Sequence, residues 1–512
     1  MKKLIALVLA LLCIGSFAFA RANTESSAGA AGPVEISIAY TDNPTLPFRH
    51  DWLTIRKVEE YFNAKIRWDV IPSTDYSTVT QLYLNTGVNA PDVILWQSIA
   101  GTNIALARNG AITPIGDYAS WTPEFYARVR EYGVQSDVDL TKIDGKLYNL
   151  PALYDLPFYD GGLILREDLL NRYGLPAPRT FDDLEAFARR YKQENPASYP
   201  MTVLVAPYVH YRMTMPSWGV SSHNSSSHRV LSWDYDRNQY FAGAISEQYR
   251  NYMRFWNRWY RDGLFDPEMA APIDGDIWAR KLATGASIMT YAYYDQIGGL
   301  EAASTIPGYK MNMYPPLQGP AGAHHQEKNK TGQGVLFPMG TSRRPDFERV
   351  ARAVDQIFYS KQAELLWCVG VEGETYTMQG NQIRFTDNIR NAPDGIYKFM
   401  QLQYGTGSAG SQFLWVNARE MIKYDDNYAQ INQRVAAMPN AIRYVAPAPL
   451  KMNERDSERA TQLMAIIWDS FVKWDNDFMT GAKSLETDWN TYVQEMNSLG
   501  INEILTLYNN NL

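Results

Sequence analysis

The alternation of strand and helix patterns over residues 34–97 constrains the fold of this chain more than any other feature. Apolar side chains recur at every second position over 34–39 and again over 66–70, which is the period-two pattern of half-buried strands. Residues 91–95 form a short apolar run typical of a buried strand, and helical stretches at about 51–62 and 75–85 separate the three. This order predicts a parallel sheet with helices on its faces, and hence an α/β fold.

Polar and aromatic residues follow the first and third of these strands. Ligands of open parallel sheets gather beyond the carboxyl ends of the strands. That rule makes Asp42 and Asn43, after the first strand, and Trp96 and Gln97, after the third, candidate ligand-binding residues.

The first 20 residues have the pattern of an export signal. Lys2 and Lys3 precede an apolar run that ends at Ala18-Phe19-Ala20, where small residues suit a signal peptidase. The run is shorter than the ~20 apolar residues that span a bilayer. We therefore expect a signal peptide over 1–20, a flexible tether over 21–33, and a periplasmic or extracellular protein.

Two alternatives to a freely released protein remain open. The apolar run could stay as a membrane anchor, or Cys13 could be the lipidation site of a lipoprotein. Leu11 and Leu12 stand where lipoprotein processing requires a small residue, so cleavage after Ala20 is the favoured prediction. Cys368 would then be the one remaining cysteine, and an internal disulfide would be excluded.

Charge and aromatic content limit the classes of partner. Removal of Lys2 and Lys3 takes the formal net charge from -7 to -9, which is unsuited to nucleic acid or an anionic membrane as the main partner. Aromatic residues make up 13%, including 14 Trp and 34 Tyr. Cores absorb most such rings, but this number also favours flat apolar surfaces for a ligand.

The sequence contains no short pattern typical of catalysis or of metal binding. None of the six histidines stands in a zinc-ligand spacing, and His324-His325 lies in a Gly- and Lys-rich stretch that predicts a surface loop. Nucleophile-elbow, phosphate-loop, dinucleotide and EF-hand patterns are also missing from the sequence. We therefore expect neither enzymatic activity nor a cofactor nor a bound metal.

Four helical stripes in the later part of the chain predict core-facing helices rather than a binding surface. They begin at Phe181, Tyr249, Phe347 and Trp489. Thr180 and Asp183 resemble a capping box at the start of the first.

A series of motifs, in order, resembles family 1 extracellular solute-binding proteins of ABC importers, in particular the LplA/LipO-like subgroup. Each motif is weak alone, but their order along most of the chain carries the resemblance. The matching segments are Ile143–Pro151, Leu165–Leu184, Gly263–Glu268, Thr284–Met289, Tyr314–Pro320, Gly370–Tyr376 and Phe478–Tyr492.

The resemblance implies a two-lobed periplasmic-binding-protein type II fold with discontinuous lobes and a hinge. By analogy, the N-lobe comprises 34–156 plus 288–360, and the C-lobe 157–287 plus 361–512. A monomer would capture an oligosaccharide in the interlobe cleft by hinge closure and deliver it to membrane permease subunits. Many relatives carry a calcium loop after the Thr180-type helix, but residues 193–200 lack alternating ligand oxygens here, so we predict no calcium there.

Position within the implied fold supplies the remaining candidate ligand-binding residues. A sugar calls for aromatic planes flanked by polar side chains. Tyr159 and Asp160 lie at the expected first crossing between lobes, where a hinge role is the alternative. The others lie in a loop-like stretch, after a predicted strand, or in the Gly370 segment: Trp218, Tyr291, Tyr293, Tyr294, Asp295, Glu372 and Tyr376, with Arg212 and Trp415 as weaker candidates.

Two other functions remain open from the sequence alone. One is a receptor for peptides or a lipid precursor, and the other is a secreted carbohydrate-active enzyme that uses the same aromatic cleft. Fold analogy cannot decide between ligand classes, because function depends on the side chains of the site.

Overall fold

The predicted strand–helix alternation forms one edge of a five-stranded sheet in the computed structural model of the protein. The structure describes residues 32–512 except for these short ranges: 43–46, 100–101, 155–160, 204–207, 221–228, 271–274, 327–329, 381, 393–395, 407–425, 440, 444–449 and 451.

The strands of the described residues run as follows: β1 Val34–Asp42, β2 Ala64–Pro72, β3 Val93–Gln97, β4 Asn149–Leu153, β5 Gly161–Arg166, β6 Ser232–Asp234, β7 Gln239–Phe241, β8 Met289–Tyr293, β9 Met311–Tyr314, β10 Gln318–Gly319, β11 Gly322–Ala323, β12 His325–Gln326, β13 Thr331–Leu336, β14 Tyr376–Gln379, β15 Gln382–Phe385 and β16 Ile442–Arg443.

The α-helices run as follows: α1 Leu53–Phe62, α2 Tyr76–Thr86, α3 Thr102–Arg108, α4 Pro123–Tyr132, α5 Gln135–Leu140, α6 Glu167–Tyr173, α7 Phe181–Glu194, α8 Tyr208–Thr214, α9 Glu247–Arg261, α10 Gly275–Ala283, α11 Ile297–Ala303, α12 Met339–Ser342, α13 Phe347–Tyr359, α14 Lys361–Cys368, α15 Asp387–Arg390, α16 Ile396–Tyr404, α17 Asp426–Ala436, α18 Glu454–Thr480, α19 Trp489–Ser498 and α20 Ile501–Asn510.

The first sheet has the order β2-β1-β3-β13-β4. Its strands β1, β2 and β3 are parallel, as the alternation predicts, with Val34 opposite Ala64 and Ile38 opposite Val93. Strand β13 comes from much later in the chain and runs antiparallel between β3 and β4. Gly334 in β13 is required, because a Cβ there would lie 1.9 Å from the carbonyl oxygen of Leu150.

A second, smaller sheet has the order β8-β5-β9, with β5 antiparallel to both neighbours. The four predicted stripes fall on α7, α9, α13 and α19, and each turns apolar side chains into a core. On α7 the buried set contains every predicted residue, from Phe181 to Tyr191. Thr180 and Asp183 form the predicted capping box.

Three clusters of buried residues surround the two sheets and define two lobes. Two of them pack on opposite faces of the first sheet and together form the first core. The first core draws on β1–β4, β13, α13 and α14, whereas the second draws on β5, β8, β9, α7, α9, α18 and α19. Among the described helices, none combines the length and the apolarity that a membrane crossing requires.

The observed grouping differs from the predicted lobe boundaries in two places. Strands β8 and β9 pair with β5 in the second sheet, although the prediction assigned 288–360 to the N-lobe. Helix α14 packs in the first core, although 361–512 was assigned to the C-lobe. Strand pairing is not visible in local sequence patterns, so the analogy misplaced these segments. We infer lobes of 34–154 plus 330–385 and 161–320 plus 386–512.

Candidate functional site

The chain passes from the first lobe to the second between the end of β4 and the start of β5, so two sheet edges are connected there. Strand β4 ends at Leu153, on the same edge of the first sheet as the end of β3, because β13 pairs with both strands in the same direction. The backbone N–H of Tyr154 donates to the carbonyl of Lys330 (2.9 Å), so the outgoing and returning segments are held together at this edge. In the second sheet, Gly161 at the start of β5 lies opposite Tyr293 at the end of β8.

Trp96, at the end of β3, has a backbone conformation that bulky residues rarely adopt. Its φ of 56° lies in the left-handed region, which costs on the order of 1–3 kcal/mol for a non-glycine residue. Hydrogen bonds hold the backbone carbonyls on either side of Trp96. Tyr76 Oη donates to the carbonyl of Leu95 (2.6 Å), and Asn149 Nδ2 donates to that of Gln97 (3.2 Å). The indole is half-buried and packs against the core of the first lobe.

Gln97 lies among amide groups that the sequence reasoning did not identify. Asn103 Nδ2 donates to Gln97 Oε1 (3.2 Å) and to the carbonyl of Ser98 (2.8 Å). Asn149 is almost fully buried, and in the described part of the chain its Oδ1 accepts no hydrogen bond. Asn149 follows Tyr148 at the start of a strand, but only the tertiary structure brings it beside Gln97.

Asp42, a predicted ligand-binding residue, also forms hydrogen bonds within the first lobe. Its Oδ1 accepts a hydrogen bond from the backbone N–H of Phe48 (2.8 Å), and its carbonyl accepts from Ser73 (2.9 Å). Phe48 belongs to a group of rings at this edge, with centroids 4.8 Å from Tyr40, 5.4 Å from Trp52 and 5.5 Å from Trp68. One carboxylate oxygen of Asp42 is therefore engaged with the backbone of Phe48.

At the end of β8 in the second sheet, Tyr293 is the one candidate tyrosine among the described residues that remains partly exposed. The guanidinium of Arg212, on α8, lies 5.3 Å from the centroid of its ring. Arg212 itself is almost fully buried. A cation held over a tyrosine at the crossing is suited to a ligand that offers hydroxyl or carboxylate oxygens.

Trp218, Tyr291 and Tyr294 lie in the second core. The ring of Trp218 is 4.3 Å from that of Phe181, although its loop-like sequence suggested an exposed position. The ring of Tyr291 packs 5.2 Å from that of His210, and burial raises its pKa. Because these rings are enclosed, we do not carry them into the proposed site. Arg212 is as deeply buried, and it enters the proposal because it lies over Tyr293, which is partly exposed.

Glu372 and Tyr376 neighbour each other at the start of the β14–β15 hairpin. Tyr376 is buried in the first core, and burial, followed by the nearby Glu372 carboxylate, raises its pKa. Glu372 is exposed. Asn43, Tyr159, Asp160 and Trp415 lie outside the described residues, as does the side chain of Asp295.

His324 and His325 are buried, contrary to the surface loop that the sequence predicted. Their segment pairs with β16 through β12, and His324 Nε2 lies 2.7 Å from the carbonyl of Ala321. The pairing partner lies more than 100 residues away in the chain, so local composition could not indicate it.

Lys192 contacts the segment 193–200, where we predict no calcium. The ammonium of Lys192 donates to the carbonyl of Ser198 (2.5 Å) and lies 4.9 Å from the ring centroid of Tyr199. The positive charge of Lys192 repels a metal cation from this segment. In the described residues, no group of three or more His, Cys, Asp or Glu is arranged to hold a metal.

Comparison with known proteins adds a family and several relatives. A family model described as bacterial extracellular solute-binding protein matches residues 55–346. The polygalacturonan/rhamnogalacturonan-binding protein YtcQ of Bacillus subtilis (strain 168) is 27% identical over 202 residues, which are 38% of this chain and 38% of YtcQ. The match thus spans well under half of that relative.

Solved structures share the fold at low identity. The alginate-binding protein AlgQ2, without calcium ion, gives a TM-score of 0.74 at 16% identity, covering 94% of this chain and 98% of AlgQ2. The substrate-binding protein FusA of S. pneumoniae, an EF-hand mutant in complex with fructo-nystose, gives 0.69 at 17% identity, covering 93% and 98%. An HMO binding, ABC-transporter associated solute-binding protein from Bifidobacterium longum infantis gives 0.68 at 15% identity, covering 94% and 98%.

Proposed function

The chain belongs to the family of bacterial extracellular solute-binding proteins, and from that membership we propose that it captures an oligosaccharide between its lobes for an ABC importer. The observation that carries the proposal is the set of aromatic and polar side chains at the two sheet edges between which the chain passes from one lobe to the other. Trp96 and Gln97 lie on one, and Tyr293 with Arg212 on the other.

The chemistry of these edges suits a sugar better than a peptide or a lipid. A pyranose ring offers apolar C–H faces, which stack on an indole or phenol ring, and hydroxyls, which pair with amides and a guanidinium. Trp96 and Tyr293 supply the rings, whereas Gln97 and Arg212 supply the polar groups. Closure of the lobes would exclude water and make each hydrogen bond costly to lose.

The relatives' ligands support the same class. YtcQ is named for binding polygalacturonan and rhamnogalacturonan, AlgQ2 for alginate, and FusA was solved with fructo-nystose. Polygalacturonan, rhamnogalacturonan and alginate are acidic polysaccharides, whereas fructo-nystose is neutral. We propose that Arg212 favours acidic units, because a guanidinium pairs well with a carboxylate.

A ligand screen tests the proposal. The mature protein would be incubated with galacturonate oligomers, alginate oligomers, neutral fructo- and gluco-oligosaccharides, and short peptides, and its melting temperature recorded. Ligand at about 100 times Kd should stabilise the folded protein by about 2.7 kcal/mol. We expect stabilisation by an oligosaccharide, without cleavage products in the sample. A response to peptides alone would refute the sugar assignment, and turnover of the sugar would refute the pure receptor.

Membership of an extracellular family implies export, and we propose that export proceeds through cleavage after Ala20. Intact-mass measurement of the protein from its native host tests this step. A mass that corresponds to a start at Arg21 is expected. A diacylglycerol-modified species that begins at Cys13 would instead indicate a lipid anchor.

A further inference from the structure

Trp52 connects the first lobe to a helix of the second. The residue immediately precedes α1, and its side chain is 4% exposed. It belongs to the first core and lies beside Phe48 at the carboxyl edge of β1. Its indole Nε1 donates to the carbonyl of Leu402, 350 residues away, at 3.0 Å.

Leu402 lies on α16, which is part of the second lobe. Met400, on the same helix, is fully buried in the second core, and Phe399 and Tyr404 pack against that core. The hydrogen bond from Trp52 therefore joins a side chain anchored in one lobe to a backbone group anchored in the other.

Gly405, directly after α16, permits the close approach of the two lobes. Its φ is +71°, and a Cβ at this position would lie 2.4 Å from Cε3 and 2.5 Å from Cδ2 of the Trp52 ring. The six-membered part of the indole thus lies against the bare backbone of Gly405. Any larger residue would push the ring away and lengthen the bond to Leu402.

We propose that Trp52 and the Leu402–Gly405 segment form an interlobe latch. The latch stabilises the lobe arrangement of this structure, here called closed, relative to an open one in which the lobes lie further apart. Separation of the lobes exposes the indole to water and breaks its hydrogen bond to Leu402. Both losses oppose opening. The latch therefore stabilises the closed state even without ligand. The remaining free energy of closure must come from ligand binding.

The inference rests on the two-lobed architecture and on no particular ligand. A measurement without ligand can therefore test it even if the oligosaccharide assignment fails. The radius of gyration in small-angle X-ray scattering is suitable, because separation of the two lobes enlarges it.

Two substitutions remove the latch in different ways, and each has a matched control. Trp52→Phe removes the donor, and Trp367→Phe is its control, because the Trp367 indole donates to the carbonyl of Ile357 (2.8 Å) inside the first lobe. Gly405→Ala inserts a Cβ against the ring. Gly308→Ala is its control, since Gly308 has the same φ of +71° and a Cβ added there would meet nothing within 4 Å.

We expect Trp52→Phe and Gly405→Ala to lower the closed-to-open ratio about five- to tenfold, as loss of one hydrogen bond implies, and to enlarge the ligand-free radius of gyration. Both controls should keep the wild-type radius. Once a ligand is known, its Kd should rise by the same factor in the two latch variants only. Radii unchanged in both latch variants, or enlarged equally in the controls, would overturn the latch.

Discussion

Trp96 illustrates how one residue can be held in an unfavourable conformation by its neighbours. The hydrogen bonds to the carbonyls of Leu95 and Gln97 fix the backbone on both sides of it. Strained residues of this kind are often found at binding sites, where the cost in folding free energy is offset by a fixed orientation of the side chain.

Trp96→Ala should therefore weaken oligosaccharide binding while leaving the fold intact. Loss of the stacking surface should lower affinity about tenfold to a hundredfold, measured by titration calorimetry. Trp121→Ala is a suitable control, since that ring packs on Tyr118 and Phe347 in the first lobe. Equal affinities of wild type and Trp96→Ala would remove Trp96 from the site.

His210 gives a second test at this scale, through pH. Its ring is enclosed by Trp256, Phe265 and Tyr291, and burial lowers its pKa from 6.5 to about 3. The unfolded chain binds a proton that the folded chain does not, so the free energy of unfolding falls as the pH drops below 6.5. At about pH 4.5 the loss should be about 2–3 kcal/mol.

Urea denaturation of wild type and His210→Phe at about pH 7.5 and 4.5 isolates this contribution, because the other titrating groups are shared. The variant should lose less stability on acidification than the wild type. His50→Gln, at an exposed position, should behave as the wild type does. Identical pH dependence in His210→Phe would show that His210 is not buried in its neutral form.

The sequence identified Trp96 and Gln97 correctly as the end of a strand, but it could not distinguish a ring in a cleft from a ring in a core. Trp218 and Tyr291 have the same local patterns as exposed candidates, yet tertiary neighbours enclose them. Asn103 and Asn149 went unnoticed because the contacts with Gln97 that single them out are not local.

At the scale of elements, the sequence predicted a helix cap formed by residues of the same segment. It could not predict a cap supplied by a side chain of a different helix. The capping box of α7 lies within four residues. The start of α4, by contrast, is capped by Asp355 of α13, whose carboxylate accepts the backbone N–H groups of Glu124 and Phe125 (2.8 Å each). Burial raises the pKa of Asp355 to about 7, although these two donors favour its charged form.

Asp355→Ala should lower the free energy of unfolding by about 1–3 kcal/mol, because it leaves two buried N–H groups without acceptors. Denaturant unfolding followed by circular dichroism measures the loss. Glu348→Ala, at an exposed position of the same helix, should cost far less. A similar cost for both substitutions would mean that the cap contributes little to stability.

The segment 193–200 gives another prediction at the element scale. Because the Lys192 ammonium holds the Ser198 carbonyl, we expect millimolar calcium to leave the melting temperature unchanged. A clear calcium-dependent rise in melting temperature, absent with magnesium, would contradict this expectation.

At the scale of the whole molecule, the two-lobed α/β fold was predicted from the family resemblance, but the division of the chain between lobes was not. Strand pairing assigns β8 and β9 to the second sheet, and this pairing joins residues more than 120 positions apart in the chain. The strand–helix pattern of 34–97 is local, and for that reason it was correct.

Saturation with an oligosaccharide should reduce the radius of gyration, because closure brings the lobes together around the ligand. Small-angle scattering of the mature protein with and without the sugar measures the change. A sugar that binds without any compaction would indicate a cleft that is already closed or a site outside it.

The position of β13 in the first sheet has a consequence for how the protein is made. This strand lies between β3 and β4, so the sheet cannot be completed until residue 336 has emerged from the ribosome. Nearly two thirds of the polypeptide must therefore be synthesised before the N-terminal lobe can assemble. The long-range closure is intrinsically slow. We expect that delay to keep the N-terminal lobe unfolded for longer while the protein is exported.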